Sequence, residues 1–137
     1  VFILLVSGLV VVFLIFNIIR YQTQLNRDRE REISAKAIYT KIIEFRNKNG
    51  VLPEYIDLRF KVKLQNEVVE DIKLTKDRRF NPNDSIKSTE IGSIYCYKKF
   101  GNEFAFGVKY EASGSWLDLG DYRCQDDYVP NNFEVLR

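Results

Sequence analysis

The chain has 137 residues, 21 basic and 19 acidic, and its formal net charge of +2 marks it neither as a nucleic-acid binder nor as a carrier of an acidic tail. It has no histidine and two cysteines, which excludes a Cys–His nucleophile pair and argues against a zinc site.

Read from its start, Val1 to Ile19 is VFILLVSGLVVVFLIFNII, uncharged and interrupted only by Ser7, Gly8 and Asn17. The other sixteen residues are Val, Ile, Leu or Phe. Moving each out of water is worth about 1.5–3 kcal/mol, so leaving the block exposed costs roughly 24–48 kcal/mol, beyond what a small domain offsets. The block therefore belongs in lipid or in a protein core. As a helix it is roughly 28 Å long, close to the hydrocarbon thickness of a bilayer. A cleaved secretory signal fits less well, because no basic segment precedes the block and no small-residue cleavage site follows it.

Beyond Ile19 the pattern turns amphipathic without a breaker, since the first glycine after Gly8 is Gly50 and the first proline is Pro53. One helix from Val1 to about Lys48 is expected, roughly 70 Å long. Ala35, Ile38, Tyr39, Ile42 and Phe45 recur at three- and four-residue spacing, a stripe for a sheet to cover. Between stripe and apolar block, RYQTQLNRDRERE is polar on nearly every side and reads as a solvated segment. Asn49-Gly50 is the helix stop, with Gly50 suited to the left-handed cap and Pro53 unable to continue the helix. From Arg20 to Lys48 eight basic side chains face four acidic ones, whereas residues 112–137 carry five acids against two arginines. Solvated surfaces explain both runs; opposite-signed ends also suit copies stacked with an axial offset.

After Pro53 the chain alternates. LRFKVKL (58–64) places Leu58, Phe60, Val62 and Leu64 on one face, and Gln65-Asn66 turns it toward a partner holding Val68, Ile72 and Leu74. Residues 75–90 hold turn formers without a period and read as a loop. SIYCYKK and EFAFGVKYE flank Phe100-Gly101-Asn102 and form a hairpin whose Phe104, Phe106, Val108 and Tyr110 share a face, more naturally core than ligand box. The tail from Gly114 holds Trp116 and a last strand near Phe133 to Leu136. The domain organisation is thus a hydrophobic segment over 1–20, its amphipathic continuation over 21–49, and a globular antiparallel β domain over 50–137.

Cys96 and Cys124 are best read as a disulfide, the alternative being two buried free thiols. Closing that loop stabilises the fold by about 3.5 kcal/mol on the chain-entropy treatment and requires an oxidising compartment. The positive-inside rule, applied to Arg20 and the arginines after it, gives the opposite orientation. Asp118, Asp121, Asp126 and Asp127 are the remaining carboxylates that an anchored hydrolase or a calcium loop would use, but their spacing matches no standard loop, and Tyr122 and Tyr128 add no catalytic pattern.

With these residues laid out, the chain resembles a type IV pilin. An apolar helix runs on as an amphipathic one, followed by an antiparallel sheet and a disulfide-bounded region. Many pilins, particularly those of ultra-small bacteria living on host cells, carry a run similar to RDARR and then a YxxNGxYP-like ending. Here Arg27-Asp28 opens the run, Arg31 falls where its later arginine lies, and Phe45 to Pro53 (FRNKNGVLP) closes it at matching spacing. Tyr95-Cys96-Tyr97 with Gly101-Asn102-Glu103-Phe104 and Gly107-Val108-Lys109 looks like the tyrosine-rich hairpin near the end of such proteins. Pilins begin with an aromatic residue and bury a glutamate a few positions later; aligned without gaps, that glutamate falls just before Val1. The simplest account is that the first mature residues precede Val1, and otherwise the chain is an atypical minor subunit.

The resemblance implies an α+β fold of the pilin type, no enzymatic activity and no cofactor. It further implies a homo-oligomeric filament for adhesion, motility or DNA uptake. Phe2, Leu5, Leu9, Val12, Phe13 and Phe16 would pack the filament core. Before assembly the membrane would be the partner, together with the assembly machinery, and on the finished filament a host-cell surface; no specific nucleic acid is expected. Gly8 and Ser7 mark a spot for close packing or local loosening of the helix. The competing reading is a monomeric, signal-anchored binding domain outside the cytoplasm.

Overall fold

The computed structural model describes residues 2–58, 62–70, 72 and 94–124, with side chains described from residue 6 onward. A single helix, α1, runs from Phe2 to Asn49, 48 residues without a break and about 72 Å long. It ends as the sequence dictates. Gly50 takes φ 73° and its N–H donates to the Arg46 carbonyl at 2.8 Å, closing the last turn in the left-handed cap that a side chain would disfavour. Asn49 Nδ2 donates to the Phe45 carbonyl at 3.1 Å, and Pro53 lies buried just beyond.

Two small antiparallel sheets follow. The first orders β1 (Ile56–Asp57), β2 (Val62–Leu64) and β3 (Glu67–Val69), with Ile56 opposite Leu64 and Val62 opposite Val69. Gln65-Asn66 makes the expected turn, Gln65 entering it at φ 58°. Val68 is not an inward residue of that turn's second strand: it pairs with Lys63 and is exposed, while Val69 packs on the core. Pairing Leu64 with Glu67 sets the register, and a one-residue shift inverts the faces. Ile72 also packs on the core; Phe60, Leu74 and the 75–90 loop lie outside the described residues.

The second sheet orders β4 (Tyr95–Phe100), β5 (Glu103–Lys109) and β6 (Trp116–Asp118). The β4–β5 hairpin turns at Gly101-Asn102 with Phe100 opposite Glu103, and Gly101 has φ 62°. Phe104, Phe106 and Val108 enter the core with Ala35, Ile38, Ile42 and Phe45 of the helix, Ile56, Val62 and Leu64 of the first sheet, and Leu52 and Leu58 on either side of β1. Tyr39 lies at the margin, its ring stacked on Phe104 at a centroid distance of 5.9 Å. The other face of β5 is also covered: Ala105 sits in a second cluster with Cys96 and Cys124, flanked by Phe100 and Trp116. Cys96 and Cys124 form the disulfide, 28 residues apart with Cα atoms 6.1 Å apart. Gly107 makes room for it, because a Cβ there would stand 2.7 Å from the Leu117 carbonyl oxygen and 3.0 Å from the Cys124 sulfur. The strand expected near Phe133 to Leu136 falls outside the described residues.

Candidate functional site

Two features stand apart from the ordinary requirements of a small core. The first is the bare half of α1. From Val6 to Ile19 every side chain is exposed; Leu9 is 71% accessible, Val12 66%, Phe13 67% and Phe16 63%. The helix is long and apolar enough to cross a membrane, and none of its most apolar 18-residue window is covered by the rest of the chain. The side chains of Phe2 and Leu5 lie outside the described residues. Polar groups along this stretch turn inward on the helix itself. Asn17 Nδ2 donates to the Phe13 carbonyl at 2.9 Å, and Thr23 Oγ1 to the Ile19 carbonyl at 2.8 Å, which reduces the cost of placing either in an apolar environment. A Cβ at Gly8 would meet nothing within 4 Å, so that glycine leaves an open notch rather than serving a contact within the chain.

The second feature lies where α1 meets its domain. The polar stretch expected to be solvated on nearly every side is not: Asp28 and Arg31 are buried, as is Ser34 just beyond it. Asp28 accepts two backbone N–H groups, that of Glu111 at 2.5 Å on Oδ1 and that of Ala112 at 2.9 Å on Oδ2. Arg27 makes a two-pronged pair with the Glu111 carboxylate, Nε to Oε2 at 2.8 Å and Nη2 to Oε1 at 2.7 Å. Arg31 donates to the Lys109 carbonyl at 3.0 Å and to Glu111 Oε2 at 3.4 Å. The Glu111 side chain is only 1% exposed. Two cations and two anions thus neutralise each other, Asp28, Arg31 and Glu111 almost out of water and Arg27 at the rim with its side chain 37% exposed; removing one of the three buried members leaves an uncompensated charge and costs about 3–5 kcal/mol.

Beside this clasp, Tyr110 donates to Glu32 at 3.0 Å and Lys36 pairs with Glu32 at 2.6 Å. The hydrogen bonds from Lys36 and then Tyr110 lower the Glu32 pKa below the ordinary carboxylate value, while burial and then the bond to Glu32 raise that of Tyr110. One signal in the sequence does point to the clasp. Residues 28, 31, 35, 38, 42 and 45 follow one alternation of three and four, so Asp28 and Arg31 continue the very face that Ala35, Ile38, Ile42 and Phe45 bury. Glu111 had no such signal.

Among the described residues no group of three or more Cys, Asp and Glu side chains is placed to hold a metal ion. Asp118 accepts the Cys124 N–H at 2.9 Å and Asp121 the Phe104 N–H at 3.1 Å, so both carboxylates are engaged in tying backbone near the disulfide; Asp126, Asp127 and Tyr128 lie outside the described residues. Tyr122 donates to Glu103 and sets its ring edge-on to Phe100 at 5.3 Å. No protein-family model, no curated protein and no solved structure matches the chain.

Proposed function

We propose that the chain is a structural subunit of a type IV pilus-like filament, polymerising through the apolar half of α1. The observation that carries this reading is one unbroken helix, bare over its apolar half and packed over its other half. A tethered domain needs only a span and a linker. Here no glycine or proline separates the span from the domain, so the direction of the apolar half follows the domain's own orientation. That coupling serves an assembly in which each copy is held at a fixed attitude.

In the membrane the sixteen apolar side chains contact lipid; in the filament they contact sister helices, and the backbone hydrogen bonds stay satisfied within the helix in both states. Phe2, Leu5, Leu9, Val12, Phe13 and Phe16 fill the core of the bundle. The subunit waits in the cytoplasmic membrane with its disulfide-bonded domain outside, and then joins a filament on the cell surface for adhesion, motility or DNA uptake.

Surface filaments sheared from cells and analysed by mass spectrometry test the reading: this chain is expected as a component of the polymer. Leu9→Asp, which sets a charge into the apolar half far from the domain, is expected to abolish filaments while the outer domain keeps its disulfide and its unfolding midpoint. Filaments at wild-type abundance in that variant, or cells that carry the protein only as detergent-soluble monomer, overturn it.

A further inference from the structure

The helix is joined to its domain in two different ways. Its upper part uses apolar side chains, Ala35, Ile38, Ile42 and Phe45, inside the main core. Its lower part uses the polar clasp, in which every partner of Arg27, Asp28 and Arg31 on the domain side described above comes from one short segment, Lys109 to Ala112. That segment is the last residue of β5 and the start of its connection to β6, and the connection is closed on itself. Tyr110 N–H donates to the Ser115 carbonyl at 2.8 Å, Gly114 N–H to the Tyr110 carbonyl at 3.1 Å, and the Ser113 and Ser115 hydroxyls meet at 2.6 Å. Lys109 pairs with Trp116 at its base. The connection can therefore leave the helix without breaking a strand pair or uncovering the apolar core.

We infer that the Tyr110–Ser115 connection is a polar latch, an opening unit separate from the rest of the domain, whose closed state is held by the Glu111 carboxylate and by Asp28. Its two states differ in chemistry. Closed, Arg31, Asp28 and Glu111 are paired nearly out of water with Arg27 partly exposed at their rim; open, all four are hydrated, so the gain from pairing and the cost of drying largely offset each other. The apolar contact above has no such balance and opens only with the whole domain. Opening changes the geometry of the stem. With the latch closed, the polar stretch of α1 below the domain runs from Arg20 to Asn26, about 10 Å; with it open, the free stretch reaches Ser34, about 22 Å, and the domain is held by the apolar contact together with the Arg46–Asn102 and Lys48–Glu67 pairs. The latch thus sets how much of the helix below the core is free of the domain. This does not depend on polymerisation and is tested on the monomer.

Amide hydrogen exchange on the full chain in detergent micelles, across a sub-denaturing urea series, is the experiment. Glu111 and Ala112 are expected to exchange through an opening that urea barely accelerates. Leu119 and Asp121, whose N–H groups bond to the Phe106 and Phe104 carbonyls, are expected to exchange only through the urea-dependent unfolding of the domain. Glu111→Gln is expected to speed exchange at Ala112 about tenfold or more while Leu119 and Asp121 stay within about twofold. A purely structural ion cluster predicts something else: all four amides moving together. Parallel urea dependence of the four, a uniform acceleration in the variant, or no change at Ala112 overturns the latch. Should Glu111→Gln fail to fold, the urea series on the unsubstituted chain decides alone.

Discussion

Tyr97 illustrates how much a single polar atom contributes in a core this small. Its ring is buried against Phe104, with centroids 6.1 Å apart, and its hydroxyl donates to the Pro53 carbonyl at 2.6 Å, tying the connection after the helix stop to β4. Lys99 and Glu54 pair close by, so the same connection is held from both sides. Tyr97→Phe leaves the Pro53 carbonyl without this donor and is expected to lower stability by about 1–2 kcal/mol, read as a shift in the urea midpoint of Trp116 fluorescence. The substitution also changes the alkaline limb. Burial, and secondarily the Glu54 charge, raise the Tyr97 pKa, so the folded domain keeps the phenol neutral where the unfolded chain would ionise it near pH 10. A pKa higher in the folded state contributes stability that is whole below about pH 10 and drains away as the pH rises further. Between pH 9 and 11 the parent protein is therefore expected to lose stability more steeply than Tyr97→Phe; the raised pKa values of Tyr110 and Tyr122 keep some slope in both.

The helix is the element on which burial and exposure can be compared most directly, because Ile33 and Ile38 are the same side chain five residues apart. Ile38 is 0% exposed inside the core and Ile33 is 62% exposed on the far side. Ile38→Ala is expected to cost about 2–5 kcal/mol and Ile33→Ala no more than about 0.5 kcal/mol in urea unfolding of the micelle-bound monomer. Equal losses would mean that the helix turns a different face to the sheet. The extent of this helix was legible because it is written locally, in 41 residues without glycine or proline and in the Asn49-Gly50 cap. The 95–109 hairpin was legible for the same reason, its alternation meeting at Gly101-Asn102. What sequence reasoning missed is what has no local signature. β1 and β6, at two and three residues, are too short to show a period. Trp116 was read as tail although it opens β6, and Val68 was aligned inward because three residues of strand do not reveal which face the turn selects. The Glu111 partnership spans 84 residues to Arg27, and only folding brings the two together.

At the scale of the whole molecule, the two halves of the chain answer to different solvents. The core draws on residues from Ala35 onward and the clasp on residues from Arg27, so nothing described before Arg27 supports the domain; the disulfide adds about 3.5 kcal/mol on the chain-entropy treatment without involving the helix. The apolar half, by contrast, leaves a surface whose exposure to water costs more than the roughly 5–15 kcal/mol by which small domains are stable. Its energy goes into whatever apolar surroundings replace water around it. A variant beginning at Arg20 is accordingly expected to be a soluble monomer by sedimentation, with a thermal midpoint within about 2 °C of the micelle-bound full chain, since it loses apolar area but no contact of the domain. Under reducing conditions both forms are expected to fall by the same amount. A midpoint lowered by truncation alone would mean that the apolar half folds back on its own domain, and the separation between that half and the core would then be lost. A self-associating truncated form would place the assembly surface on the domain instead, leaving the helix as an anchor and no more.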